Sequence, residues 1–128
     1  MAELSVNSKF SRKHYTVSLH ESKGKSHYDL FLENGDVLNA WRISAPPETG
    51  CVTVEKICDH RKKYLEYEGE ISEGRGKVTI HSQGHYRLFE SLLTLEDGKS
   101  SGIYLFKKNL LIDPRKSTKK LEDYSDKF

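Results

Sequence analysis

The feature that most limits what this chain can fold into is its punctuation. Short runs of alternating apolar and polar residues are each closed by a turn signal, among them Asn34-Gly35, Pro46-Pro47, Glu73-Gly74 and Glu96-Asp97-Gly98-Lys99. Such runs read as strands, and the signals between them as hairpin turns and loops. The clearest hairpin is HYDLFLE (27–33), Asn34-Gly35-Asp36, VLNAWRI (37–43), because Asn and Gly both tolerate positive φ in a tight turn. Its first arm places His27, Asp29 and Phe31 on one face and Tyr28, Leu30 and Leu32 on the other. YTVSLH (15–20), CVTVEKI (51–57), GRGKVTI (74–80) and SGIYLFKK (101–108) read as further strands, with Ser82-Gln83-Gly84 as a turn. HYRLFESLLTL (85–95) fits strand or helix, and CDHRKKYLEYE (58–68) reads as a loop or one helical turn. The sum is an all-β domain of about seven or eight short strands, a sandwich or a barrel.

A chain of 128 residues with 35% hydrophobic content suits one domain with a small core. Residues 1–13 are polar and without periodicity and read as an N-terminal arm; 14–111 hold the strand signals; 112–128 read as a polar C-terminal tail. Four of the six residues from Arg115 to Lys120 are basic, which fits a solvated tail or a contact to a nucleic-acid backbone. Across the chain, 21 Lys and Arg face 19 Asp and Glu, so the net charge of +2 excludes a strongly basic nucleic-acid binder while allowing a local basic patch. No apolar run reaches the length of a membrane span, and the first residues lack the apolar stretch of a secretory signal. The expected setting is the cytoplasm, without membrane contact. Cys51 and Cys58 match no zinc spacing and are expected to be buried, reduced thiols.

Six histidines raise the question of which can converge. His27-x-Asp29 sets an imidazole beside a carboxylate, a pair able to bind a divalent ion such as Mn²⁺ or Zn²⁺ or to form a structural hydrogen bond. His20 joins them if the loop ESKGKS folds back. His60 and Tyr64, four residues apart, share a face if they lie on one helical turn, and both are able to donate to a phosphate oxygen. His14, His81 and His85 have no evident partner and read as surface or turn residues. No phosphate-binding glycine loop and no serine or cysteine nucleophile pattern is present.

Taken together, H-x6-HYDLFLE, LNAW and DHRKKYLEYEGEISEG, in that order from His20 to Gly84, resemble the 3′-phosphoesterase domain of bacterial DNA ligase D and its free-standing archaeal and bacterial relatives. The resemblance implies a small single-domain β-barrel with a crescent-shaped active surface. It implies Mn²⁺ held by His20, His27 and Asp29, with His60 and Tyr64 contacting the scissile phosphate. It also implies removal of a 3′-terminal ribonucleoside and then of the 3′-phosphate from DNA or RNA–DNA primer–template ends. A separate DNA ligase or polymerase is the expected partner, and a monomer the expected state.

The chain departs from the family at several places. Phe31 stands where the family has an arginine, and Cys58 where it has an acidic residue. The stretch between His20 and His27 is one residue longer, the turn after EISEG is shortened to RGK, and Ser72 replaces a proline. Arg42, on the strand paired with Phe31 through the hairpin, is a candidate to replace the missing guanidinium, or is a solvent-facing edge residue. The alternative to an active enzyme is a catalytically weakened member that binds a metal or a phosphorylated end. A plain barrel with a surface metal site is a third reading.

Overall fold

A computed structural model describes residues 13–116 of the chain. Of the expected arm (1–13) only Lys13 is among those residues, and of the expected tail (112–128) residues 112–116 are, with Ile112 buried in the last strand of the fold. The turn at Asn34-Gly35 holds Gly35 at φ +64°, and it joins β2 (Lys25–Asn34) to β3 (Val37–Ile43) in the register Asn34 to Val37, Leu30 to Trp41 and Tyr28 to Ile43. β1 (Lys13–Ser22) pairs with β2 on its other side. β4 (Cys51–Arg61) follows β3 after a loop containing the 3-10 turn Pro47–Thr49. The 3-10 turn Lys62–Leu65 and the two-residue β5 (Gly69–Glu70) then lead to β6 (Lys77–Phe89), β7 (Leu92–Glu96), β8 (Gly102–Lys107) and β9 (Leu110–Ile112).

Every pairing is antiparallel. Eight strands close in the order β1-β2-β3-β4-β9-β8-β7-β6, with β6 returning to β1 and β5 appended to β6. The chain is therefore the all-β barrel expected, and closure removes the open edges that would otherwise invite pairing with other chains. Among the described residues, no helix is long and apolar enough to cross a membrane.

Alternation along each strand fills the barrel. Tyr15, Val17, Leu30, Leu32, Ile43, Val52, Leu93, Leu95, Tyr104 and Leu111 form one buried cluster, with Trp41 packed against it. The two deepest tyrosines keep their hydroxyls bonded: Tyr15 donates to the Asp97 carbonyl at 2.7 Å and Tyr104 to that of Ser100 at 2.7 Å. Burial pushes the pKa of both phenols up.

Several expectations need correction. Ser82-Gln83-Gly84 is not a turn, because β6 runs through it. Gly84 is there for space: a Cβ would lie 2.0 Å from the Glu96 carbonyl oxygen of the paired strand. HYRLFESLLTL is the β6–β7 hairpin, not a helix. Both cysteines are free and exposed rather than buried: Cys51 alternates with the inward Val52 and Val54, and Cys58 lies where the β3–β4 register shifts near the end of the strand. The histidines left unpartnered also find contacts. His14 bonds Glu33 at 3.0 Å, His81 bonds Glu48 at 2.5 Å, and His85 lies 4.6 Å from the His14 ring and 3.7 Å from the Asp97 carboxylate.

Candidate functional site

With Leu30 and Leu32 inside the barrel, the same alternation turns His27, Asp29 and Phe31 outward. Register does the rest. His20 of β1 is the direct partner of His27, Arg42 of β3 the partner of Asp29, and Ala40 the partner of Phe31. On β4, Ile57 pairs with Ala40 and His60 with Leu38. The outer face of four neighbouring strands thus presents His20, His27, Asp29, Arg42 and His60 together. The question of which face Arg42 takes is answered by this pairing.

The turn Lys62–Leu65 walls one side. Thr16 donates its hydroxyl to the Leu65 carbonyl at 2.5 Å, and Leu65 packs with Phe31, Leu38 and Ala40 in a second apolar cluster. His60 and Tyr64 do not share a helical turn as expected, because β4 continues to Arg61. His60 ends a strand and Tyr64 sits in the turn after it, with ring centroids 6.0 Å apart. The Phe31 ring lies beneath, 5.0 Å from His60 and only 3% exposed. All six expected residues, His20, His27, Asp29, Arg42, His60 and Tyr64, line one cavity of about 580 Å³. Arg75 and Cys58 line it as well.

Hydrogen bonds fix the imidazoles. His20 Nε2 donates to the Arg75 carbonyl at 2.7 Å, which leaves Nδ1 of the neutral ring as an acceptor. That Nδ1 lies 3.3 Å from His27 Nε2, which in turn lies 3.3 Å from Asp29 Oδ2. Burial lowers the His27 pKa below the ordinary histidine value, and Arg42 and His20 add to this against the opposing charge of Asp29. Asp29 is 6% exposed, and its Oδ1 is buried without a hydrogen-bond partner. Arg42 Nε, at 3.8 Å, is too far to satisfy it directly. His60 Nδ1 donates to the Cys58 carbonyl at 3.0 Å, leaving Nε2 as the second functional nitrogen.

Two imidazole nitrogens and a carboxylate with an orphaned oxygen make a donor set suited to a divalent transition metal with open positions. Donors bound at about 2.1 Å to one ion lie roughly 3.0–3.4 Å from one another, so both 3.3 Å separations fit such an ion. The contacts run as a chain through His27, and no preformed cluster of three metal-ligating side chains occurs among the described residues. The donor types and the orphaned Asp29 oxygen fit a metal, while the final closure of the set around it is not built in.

Sequence reasoning missed Arg75. Its signal was the Gly-Arg-Gly of the shortened turn, which sets a guanidinium between two permissive residues.

No curated protein matches the chain. The family model described as the DNA Ligase D 3′-phosphoesterase domain matches residues 18–123. That match reaches well past Gly84, where the motif resemblance stopped, and takes in the strands that close the barrel. The outward cluster of β1 to β4 therefore lies on a barrel whose lineage is settled: the chain belongs to the DNA ligase D 3′-phosphoesterase domain family.

Proposed function

We propose that this domain is a Mn²⁺-dependent phosphoesterase that heals DNA 3′ ends, removing a 3′-terminal ribonucleoside or a 3′-phosphate to leave a 3′-hydroxyl. The observation that carries the proposal is the convergence of His20, His27, Asp29, Arg42, His60 and Tyr64 on one cavity. His20, His27 and Asp29 are the residues that would hold the metal. When bound there, the ion supplies Lewis-acid charge next to the phosphate.

The chain's own groups do the remaining work. In phosphomonoester removal water adds to phosphorus, the P–O3′ bond breaks, and O3′ takes a proton. His60 Nε2 delivers that proton or stabilises the charge that develops, its orientation set by the Nδ1 bond to Cys58. The Tyr64 hydroxyl and the Arg42 guanidinium donate to non-bridging oxygens. The freed hydroxyl end then suits a separate ligase or polymerase.

A second reading, an end-binding module with weakened catalysis, is favoured by one observation: the buried Phe31 ring puts no charge at the cavity floor. The experiment that separates the two uses Mn²⁺ and a 5′-labelled primer–template carrying a 3′-phosphate or one 3′-ribonucleotide. Conversion to the 3′-hydroxyl, absent in His27→Ala, supports the enzyme. No conversion at high enzyme and Mn²⁺ leaves the binding module.

A further inference from the structure

A terminal phosphate brings up to two negative charges into this cavity, and the floor offers none in return. Phe31, Ile57, Ile71 and Val78 are apolar, so outside the metal ligands the permanent positive charge comes from three arginines: Arg42, Arg61 and Arg75. Arg42 already lies 3.8 Å from the Asp29 carboxylate, which offsets its charge. Arg61 sits on the last residue of β4, opposite Val37 at the hairpin end.

Arg75 is placed differently. Its backbone carbonyl accepts the His20 Nε2 proton, so the residue is fixed beside the candidate metal ligands. Its side chain is oriented in advance: Nε donates to the Ser72 carbonyl at 3.0 Å and Nη2 to the Ser72 hydroxyl at 3.0 Å. A guanidinium has five N–H groups, so three remain for a ligand. The loop carrying it is closed at its base by the Ile71 N–H bonded to the Gly76 carbonyl at 2.7 Å. It is also pressed onto β1, where a Cβ on Gly76 would lie 2.1 Å from the Glu21 carbonyl oxygen.

We propose that Arg75 is the residue that grips the terminal phosphate of the substrate, with Ser72 as its positioning residue. The inference rests on the end-healing reading above and names how that site recognises its end. A pre-oriented fork matches phosphate geometry in a way an ammonium does not, and it loses little freedom on binding.

The test is a binding measurement without turnover. Fluorescence anisotropy in EDTA compares the full chain's affinity for a primer–template ending in a 3′-phosphate with that for the same duplex ending in a 3′-hydroxyl. Wild type prefers the phosphate. Arg75→Gln loses about tenfold or more of that preference. Arg75→Lys recovers only part of it, and Ser72→Ala falls between wild type and Arg75→Gln. Arg61→Gln keeps most of it. Because the carbonyl that holds His20 belongs to the backbone, Arg75→Gln melts at the wild-type temperature, and a melt checks that its fold is intact. A wild-type preference retained in Arg75→Gln overturns the assignment. So does a wild type with no preference in EDTA. If the Mn²⁺ assay nevertheless shows conversion to the 3′-hydroxyl, the end-healing reading stands and Arg75 alone is wrong; if it shows none, that reading has failed in its own right.

Discussion

His60 owes its orientation to a backbone carbonyl, that of Cys58, at 3.0 Å. The thiol where the family carries an acid therefore takes no part in fixing the ring. Cys58→Ser is expected to keep kcat within about twofold of wild type, since the carbonyl survives the change. His60→Ala is expected to lower kcat on a 3′-phosphate end by about 10²–10³, the usual loss for a donor aimed at developing charge, with KM moving far less. Steady-state kinetics on the labelled primer–template checks both. A Cys58→Ser enzyme as impaired as His60→Ala would show that the side chain, not the carbonyl, matters at this position. At this scale the sequence was informative for His20, His27, Asp29 and Tyr64, because strand alternation and motif order carry side-chain identity directly. For Arg75 the Gly-Arg-Gly turn was the sole mark, because the placement of the residue depends on where a shortened loop comes to rest against β1.

Glycines separate elements that are held by space from elements that are held by conformation. Gly84 lies inside β6 and faces the Glu96 carbonyl, so Gly84→Ala forces β6 and β7 apart and is expected to cost about 3 kcal/mol. Gly24, at the β1–β2 turn, has φ +79° but nothing within 4 Å of a Cβ. Gly24→Asn is expected to cost about 1 kcal/mol or less, since Asn tolerates this region. Urea unfolding of both variants tests the distinction, and equal midpoints would refute it. The same contrast explains which elements could be read from the chain. Asn34-Gly35 announces the β2–β3 hairpin because its conformation is local. Gly84 reads as a turn residue because the close approach it permits is across the β6–β7 hairpin, a pairing whose turn Glu90-Ser91 carries no Gly or Pro signal. β4 reads as a loop after Ile57 because Cys58, Asp59 and Arg61 face solvent at the exposed end of the strand.

Across the molecule, the carboxylates Glu33 and Glu48 tie together segments that are distant in sequence. Glu33 of β2 accepts from the His14 backbone N–H at 2.9 Å and ring at 3.0 Å on β1, and from Lys62 Nζ at 2.9 Å in the turn after β4. Burial alone would raise its pKa, but the bonds from Lys62 and His14 outweigh it and bring the carboxyl down from 4.5 to about 2. Glu48, in the turn before β4, is likewise lowered against its burial, by Ser100 and by His81. A carboxylate whose folded pKa lies below its unfolded value binds fewer protons in the folded state, so stability rises with pH between the two values. For Glu33 that contribution is complete above about pH 4.5 and is lost as pH falls toward about 2. Its partners are about half exposed, at 52% for His14 and 46% for Lys62, so screening limits the contribution to about 1–2 kcal/mol. Glu33→Gln is therefore expected to lower the unfolding free energy by that amount near neutral pH and by almost nothing at about pH 2. The two urea-derived stability curves should converge as acid is added, the mutant's having the shallower slope. Parallel curves across this window would mean that Glu33 is not protonated on unfolding in acid, and that the tie between β1, β2 and the turn walling the site is not electrostatic.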